Sequence, residues 1–369
     1  MYPYKYDVRG QPTSQANFIS LINVESLIAP EHPIRRIKAL VDEVLQGMDG
    51  HFEEMYGRQG RPSIPPERLL KAKVLQALFT VRSDRQLCAR LQTDLMFRWF
   101  IDLPMDEAVF DPSSFSQNQE RLLRHEVADL FFSEVVALAK QHGWVSNDHF
   151  SVDGTLIEAW ASIKSFKPKD TPKGPGSGNT WTDFKGHKRK NDTHSSTTDP
   201  EAKLVRKGNG QEARLRFAGH ATMENRNGLC VLFEVTSAVG ESEAKVAVEH
   251  AIKLKHRGFK PKSIGADKGY HCQGFVTGLR AQGIAPHPAL CDGENARRVR
   301  RGSGYTLSQR ARKRIEEIFG WAKTTGGFRR TRYRGVARSN AAGQYVVAAL
   351  NLLRMAKLLM TPPPHPTWA

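Results

Sequence analysis

Apolar residues recur at helical spacing through the first 145 residues, in Ile34–Leu45, Leu69–Thr80, Leu87–Leu95 and Leu122–Lys140. This pattern predicts an all-α N-terminal domain over residues 1–145. Within it, Ser63 can cap and Pro65 and Pro66 can open a helix that runs to about Phe79, and a second helix follows Ser83 and Asp84. Two short helices joined by a few residues resemble a helix-turn-helix, although helix pairs of this kind also serve as plain packing units. After His149 the period shortens towards two. Phe150–Ile157 reads as a strand with Asp153 near its middle, and Leu215–Phe217 and Leu229–Val235 flank the turn Asn225-Arg226-Asn227-Gly228 as a hairpin. Glu241–His256 reads as a helix closed by Gly258, Ser263–Ala266 as a strand ending at Asp267, and Gly274–Gln282 as a helix. Ile284–Pro288 is a further short strand and Ser308–Thr324 a strong helix. The fold class is therefore α/β, with the second domain spanning residues 146–360. Residues 165–212 are rich in Pro, Gly, Ser, Thr, Lys and Asp, loosest at Gly174–Gly178, and read as a flexible basic insertion between the first two strands.

Charge separates the two parts. Residues 1–150 carry 17 Lys/Arg against 20 Asp/Glu, a net −3, so of the total +17 the remainder of the chain holds +20. Lys164–Arg216 has 13 basic and 6 acidic residues, and Arg297–Arg338 has 14 basic and 2 acidic. A stretch that long and that nearly free of acid points to a polyanion, DNA or RNA, and makes Arg329, Arg330, Arg332 and Arg334 candidate DNA contacts. The near-neutral N-terminal part argues against a large phosphate footprint there.

The four cysteines, Cys88, Cys230, Cys272 and Cys291, form no CxxC pair, so no disulfide framework or zinc ribbon is indicated and a reducing cytoplasm is expected. Met1–Ser20 lacks the features of a signal peptide. Tyr345–Met360, broken by Asn351, Arg354 and Lys357, reads as a core helix and not a membrane span.

Three acids stand at choke points of this basic domain: Asp153 in the first strand, Asp267 at a strand end, and Glu316 or Glu317 in the last strong helix. Any one alone is as well explained as an ordinary surface residue. Together they suit hard divalent cations, which take oxygen ligands and can activate one oxygen and stabilise another at a phosphodiester. If Ser308–Thr324 is one helix, Ile315, Ile318, Phe319 and Ala322 form its buried stripe, Glu316 borders that stripe and Glu317 faces water. Arg312 and Lys323 then lie in line with Glu316, either to hold phosphate or, for Arg312, as a plain ion pair.

The segments Ser151–Ser162, Ala266–Tyr270 and Arg312–Lys323 resemble the three catalytic blocks of bacterial insertion-sequence transposases with a DDE active site, the insertion sequence five family. The last block resembles that family's tyrosine, arginine, glutamate, lysine signature at Arg312, Glu316 and Lys323, whereas the tyrosine slot holds Gln309. The resemblance extends to the N-terminal domain over Ile34–Arg124. It implies a ribonuclease-H-like catalytic domain, a mixed five-stranded sheet with flanking helices, behind the helical domain. It also implies that Asp153, Asp267 and Glu316 are catalytic and hold two Mg²⁺ ions, with Mn²⁺ as a substitute. Lys268, Arg312 and Lys323 would touch DNA phosphate. The implied activity is cleavage at the ends of an insertion sequence and joining of the 3′ ends to target DNA. The implied partners are the terminal inverted repeats and target DNA, with a homodimer in the DNA complex. The alternative is a catalytically silent, transposase-derived DNA-binding protein. A nuclease that cuts without joining is a further option. A tyrosine recombinase is disfavoured, because the His32 to Arg35 pair lies at the wrong end of the chain relative to Tyr333 or Tyr345.

Other polar residues carry less. His187, His194 and His220 show no ligand spacing and read as loop or strand histidines. Asp183, Asp192 and Asp199 read as solvated acids of the basic segment, Trp321 as a packing residue more than a base-stacking one, and Glu158 as either a support of the site or plain surface.

Overall fold

The computed structural model describes residues 23–56, 63–169, 189–208, 210–239, 243–290 and 303–360. Eight helices precede the first strand among these residues: α1 (Val24–Leu27), α2 (Pro33–Gln46), α3 (Asp49–Met55), α4 (Pro66–Leu78), α5 (Asp84–Thr93), α6 (Leu95–Phe100), α7 (Pro112–Arg124) and α8 (Val127–Gln141). Side chains satisfy the free N–H groups that open several of them. Ser83 accepts from Gln86, Asp94 from Phe97 and Asp111 from Ser113. At α4 the expected cap by Ser63 does not form. Pro65 occupies that position, and the Ser63 hydroxyl donates to Asn118 instead. The periodic run Leu122–Lys140 is two helices, because the chain turns through a left-handed residue, Glu126 (φ 51°), and so buries both Leu122 and Val127.

The strands are β1 (His149–Glu158), β2 (Phe166–Pro168), β3 (His194–Ser196), β4 (Lys203–Val205), β5 (Arg214–Glu224), β6 (Cys230–Ser237), β7 (Ser263–Ala266) and β8 (Ala285–Pro288). Helices α9 (Glu243–His256) and α10 (Gln273–Ala281) flank β7, and α11 (Ser303–Arg312), α12 (Ile315–Lys323) and α13 (Val336–Leu358) close the chain. One mixed sheet runs β6-β5-β1-β7-β8. β1, β5 and β6 pair antiparallel, and β7 and β8 add parallel to β1. The sheet has six strands and not five, because β4, from the segment expected to be a loose insertion, pairs with the start of β5. β2 and β3 form a separate ribbon. The described part of that segment is thus ordered structure, and Asp199 in it is a buried acid (1% exposed) that accepts the Gly335 N–H at 3.0 Å, not a solvated one. Gly174–Gly178, Asp183, His187 and Cys291 lie outside the described residues.

The helix expected over Ser308–Thr324 is broken at Lys313 and Arg314 into α11 and α12. Arg314 turns back to donate to the carbonyls of Asn225 and Arg226 in the β5–β6 turn, which fixes the break. The stripe within α12 is as the spacing predicts: Ile315, Ile318, Phe319 and Ala322 are its buried residues. Trp321 packs half-buried against the core.

α13 lies between β6 on one side and α2, α4 and α8 on the other, joining the helical part and the sheet through one apolar core. No helix among the described residues is long and apolar enough to cross a membrane. A single polar pair is built into this seam. Buried Asn351 accepts from the Cys230 N–H at 2.9 Å and donates to the Cys230 carbonyl at 2.7 Å. Asn351→Leu strips both partners from a buried strand end, so unfolding in urea should show a loss of about 2–4 kcal/mol.

Candidate active site

The register of β1 against β7 assembles the site. Ser151 faces Gly265 in a parallel pairing that stops there, so two residues further on Asp153 and Asp267 stand at the mouth where the strands separate. Period two keeps each acid on the same sheet face as its partner two residues earlier. The Asp153 carboxylate accepts its neighbour Gly154 N–H at 2.9 Å, and Asp267 accepts the Lys268 N–H at 2.6 Å. Arg312, at the end of α11, reaches Asp267 at 3.8 Å. Burial pushes the Asp153 carboxyl up to about 6. The charges of Asp267 and Glu243 push in the same direction, against the Gly154 N–H and Arg312.

Gln309 occupies the slot where the resembled family carries tyrosine. It donates to the His287 carbonyl at 2.5 Å and the Ala266 carbonyl at 3.4 Å, and it accepts from Arg312 at 3.4 Å. It therefore ties α11 to the ends of β7 and β8 and steadies the arginine beside Asp267.

α12 lies along β1 with its C-terminal end at the site. Lys323 donates to the hydroxyl of Thr155, which shares the Asp153 face of β1. Burial lowers the Lys323 pKa first, and the positive charges of Lys207, Arg329 and Arg216 add to this, with Asp153 opposing. Glu316 is exposed in the first turn of α12. It shares the stripe of Lys323 and lies about 10 Å from it along the axis. Because of the break at Arg314, Arg312 is not on a continuous stripe with Glu316. The structure records no contact between Glu316 and either aspartate. Glu317, also exposed, pairs with Arg354 at 3.1 Å.

Of the basic candidates, Lys268, Arg329 and Arg334 are exposed. Arg330 and Arg332 are engaged by backbone: Arg330 donates to the carbonyls of Ala159 and Trp160, and Arg332 to that of Val81. Arg330 also stacks over Trp160 at 5.1 Å, and Glu158 pairs with Arg214 at 2.8 Å. His194 stacks on Phe166, and His220 is buried against Thr236. The helix pair α4–α5 is docked onto this region, with Thr80 donating to the Thr325 carbonyl at 2.7 Å. The lysines of α4 are spent internally, Lys71 on Asp42 and Asp102 and Lys73 on Asp84.

Three residues around the site, two beside Lys323 and one beside Gly154, have no counterpart among those singled out from sequence. The charge of Arg216 acts on Lys323 because β5 pairs with β1, and that of Lys207 because β4, which it follows, pairs with the start of β5. Glu243 opens α9 with its carboxylate against Gly154, where a Cβ would stand 2.7 Å from its Oε1. In the sequence Glu243 is one of two acids at the start of a helix, with nothing to single it out.

Two carboxylates at a solvent-reached strand mouth, one of them raised by burial and by its acidic neighbours, are oxygen donors suited to Mg²⁺. That ion is typically held by one or two carboxylates, water and substrate phosphate. Among the described residues no three His, Cys, Asp or Glu side chains are already drawn together as a closed metal cage.

Residues 22–121 match the family described as Transposase domain (DUF772), and residues 181–352 match the family described as Transposase DDE domain. No curated protein matches the chain. Among solved structures, a piggyBac transposase synaptic complex with hairpin DNA is similar at 8% identity and a TM-score of 0.39, covering 90% of this chain and 77% of the other. The Mos1 strand transfer complex is similar at 9% identity and a TM-score of 0.21, covering 73% and 81%. The Mos1 mariner paired end complex with Mn gives 10% identity and 0.20, covering 78% and 87%.

Proposed function

We propose that this chain, whose two domain matches support a DDE-type transposase, cuts DNA at the ends of an insertion sequence and joins the freed 3′ ends to target DNA. The observation that carries the reading is the placement of Asp153 and Asp267 side by side at the split between β1 and β7, with Arg312 and Lys323 at its rim. In this reading the sheet is ribonuclease-H-like and residues 146–360 form the catalytic domain. Residues 1–145 form a helical domain in which α4–α5 serves DNA-end binding.

Asp153, Asp267 and Glu316 would hold two Mg²⁺ ions, or Mn²⁺ in their place, which supply activation of an attacking oxygen and charge stabilisation of a leaving one. The protein's own part is positioning. Arg312 and Lys323 bind phosphate on either side of the scissile bond, and Lys268, Arg329 and Arg334 extend that grip along the backbone. Arg330 and Arg332 brace the basic segment against the sheet and the helical domain. Synapsis of two DNA ends calls for a homodimer in the complex. The reading places the protein in a bacterial cytoplasm, associated with the nucleoid.

The test is incubation with Mg²⁺ and duplex DNA carrying the element's inverted repeats. The parent chain nicks and strand-joins, and Asp267→Ala binds the same DNA but yields neither product. A parent that binds without cutting is a silent DNA-binding protein, and one that nicks without joining is a nuclease.

A further inference from the structure

Burial runs backwards where the chain leaves β1. Ala159 and Ala161 are buried, whereas Trp160 between them stands 48% exposed. An indole turned inward would remove far more apolar area from water than either alanine does, so burial of apolar surface does not account for this arrangement. Trp160 is the one aromatic among the exposed large apolar side chains of the described residues. It is also held in place from one side. The Arg330 guanidinium lies over the indole at 5.1 Å from the ring centre and is fixed there by donating to the carbonyls of Ala159 and Trp160. The segment that carries this arginine runs beside β1. Lys323 donates to Thr155, the Glu158 N–H donates to the Arg329 carbonyl at 3.0 Å, and the Thr331 N–H returns to the Glu158 carbonyl at 2.8 Å. Lys323, Arg329 and Arg330 therefore follow the strand from Thr155 to Trp160, about 17 Å of extended chain. Glu158 and Glu212 at this end of the strand both pair with Arg214.

A row of cations that ends on an exposed, propped aromatic ring suits one class of ligand, a single strand whose phosphates follow the cations and whose base stacks on the ring. A paired base keeps its faces inside the duplex stack and offers the indole none. We propose that Trp160, backed by Arg330, is a stacking platform for an unpaired base of DNA, with the phosphates of that strand led to it by Lys323 and Arg329. This rests on the DNA reading above and adds to it that the protein grips unpaired strand as well as duplex. A lone surface indole that only covers the stem of Arg330 is the competing account.

Fluorescence anisotropy of DNA bound to the full chain in chelator, so that binding is read without cleavage, separates the two. The probes are a labelled oligothymidylate of about 12 nucleotides, within the span of a single-strand groove, and a duplex of the same length. The parent binds both. Trp160→Ala weakens binding of the single strand by about tenfold or more, the cost of removing a stacking ring, and that of the duplex by less than about twofold. Trp160→Phe, which keeps a ring, loses about threefold or less on the single strand, and Trp160→Leu, which keeps apolar bulk without a ring, loses as much as alanine. None of the three alters the salt dependence of binding, whereas Arg329→Ala flattens it. Thermal melts verify that each variant is folded. Parental single-strand affinity in Trp160→Ala or Trp160→Leu, or an equal loss on single strand and duplex, overturns the platform and leaves the DNA reading standing. A parent that binds neither probe overturns both.

Discussion

Asp153→Asn raises the melting temperature of the metal-free protein and, on the proposed transposase reading, abolishes DNA strand cleavage. Burial, with Asp267 and Glu243 adding to it, raises the Asp153 carboxyl from 3.8 to about 6 in the folded chain. A carboxyl that binds its proton more tightly when folded favours the native state at low pH. That contribution fades as pH rises from about 4 to about 6, and above this the ionised group works against the fold. Asparagine keeps the shape and does not ionise. Its advantage is therefore full above pH 6, on the order of 1–3 kcal/mol, and gone near pH 4. In chelator at neutral pH this is a rise of about 1–4 °C for a chain of this length. Added Mg²⁺ then stabilises the parent and not the variant. Cleavage falls by about a thousandfold or more, the equivalent of several kcal/mol of lost metal-assisted stabilisation. Scanning calorimetry across pH checks the first half and the DNA-end assay the second. An unchanged melting temperature in chelator would mean that the crowding at Asp153 is not felt by the fold.

The second large effect lies away from the chemistry. Glu224 closes β5 and is completely buried (0% exposed). Its carboxylate accepts four backbone N–H groups, from Asn227 at 2.6 Å, Arg226 at 2.9 Å, Leu229 at 3.2 Å and Ser146 at 3.3 Å. It thereby holds the β5–β6 turn, where Gly228 takes the left-handed backbone (φ 77°), and ties that turn to the chain entering β1. Glu224→Leu fits the volume but orphans these donors, so equilibrium denaturation should lose about 4 kcal/mol. Glu224→Gln retains one acceptor oxygen and should lose less than half of that. The damage should spread to the site, because Asn225 accepts from Ser151 on β1 and from Arg314 at the α11–α12 break. A leucine variant as stable as the parent would show that water replaces the carboxylate in this turn.

Where the periodicity was clean, the elements followed it. β1, the β5–β6 hairpin, β7 and the buried stripe of α12 lie where alternation or helical spacing put them, because each has one apolar face to hide. The misplacements have local causes in partners distant along the chain. Arg314 breaks a helix whose own sequence would continue, by finding carbonyls in a turn 88 residues away. Asp199 is buried because Gly335 offers it an N–H. β4 exists because β5 is longer than β6 needs and leaves an edge to fill.

The site divides along the same line. Asp153 and Asp267 were legible because each sits at a fixed point of a strand, and Arg312 and Lys323 because helical spacing sets them in line with Glu316. Lys207, Arg216 and Glu243 carry no such mark, since a residue's distance across a sheet is set by strand register and a glutamate at a helix start resembles any other.

By itself, then, the amino-acid order determined most of the elements, the segregation of positive charge to the second part of the chain and which two acids lie in or at the end of a strand. These depend on neighbours a few residues apart. The three-dimensional arrangement decided which charges meet: that α12 presents Lys323 to Thr155, that Arg314 interrupts the helix before Glu316, and that α9 brings Glu243 up against a glycine. Electrostatic and ligand contacts act over a few ångströms of space, and only the packing of β1, β7, α9 and α12 converts separations of tens of residues into such distances.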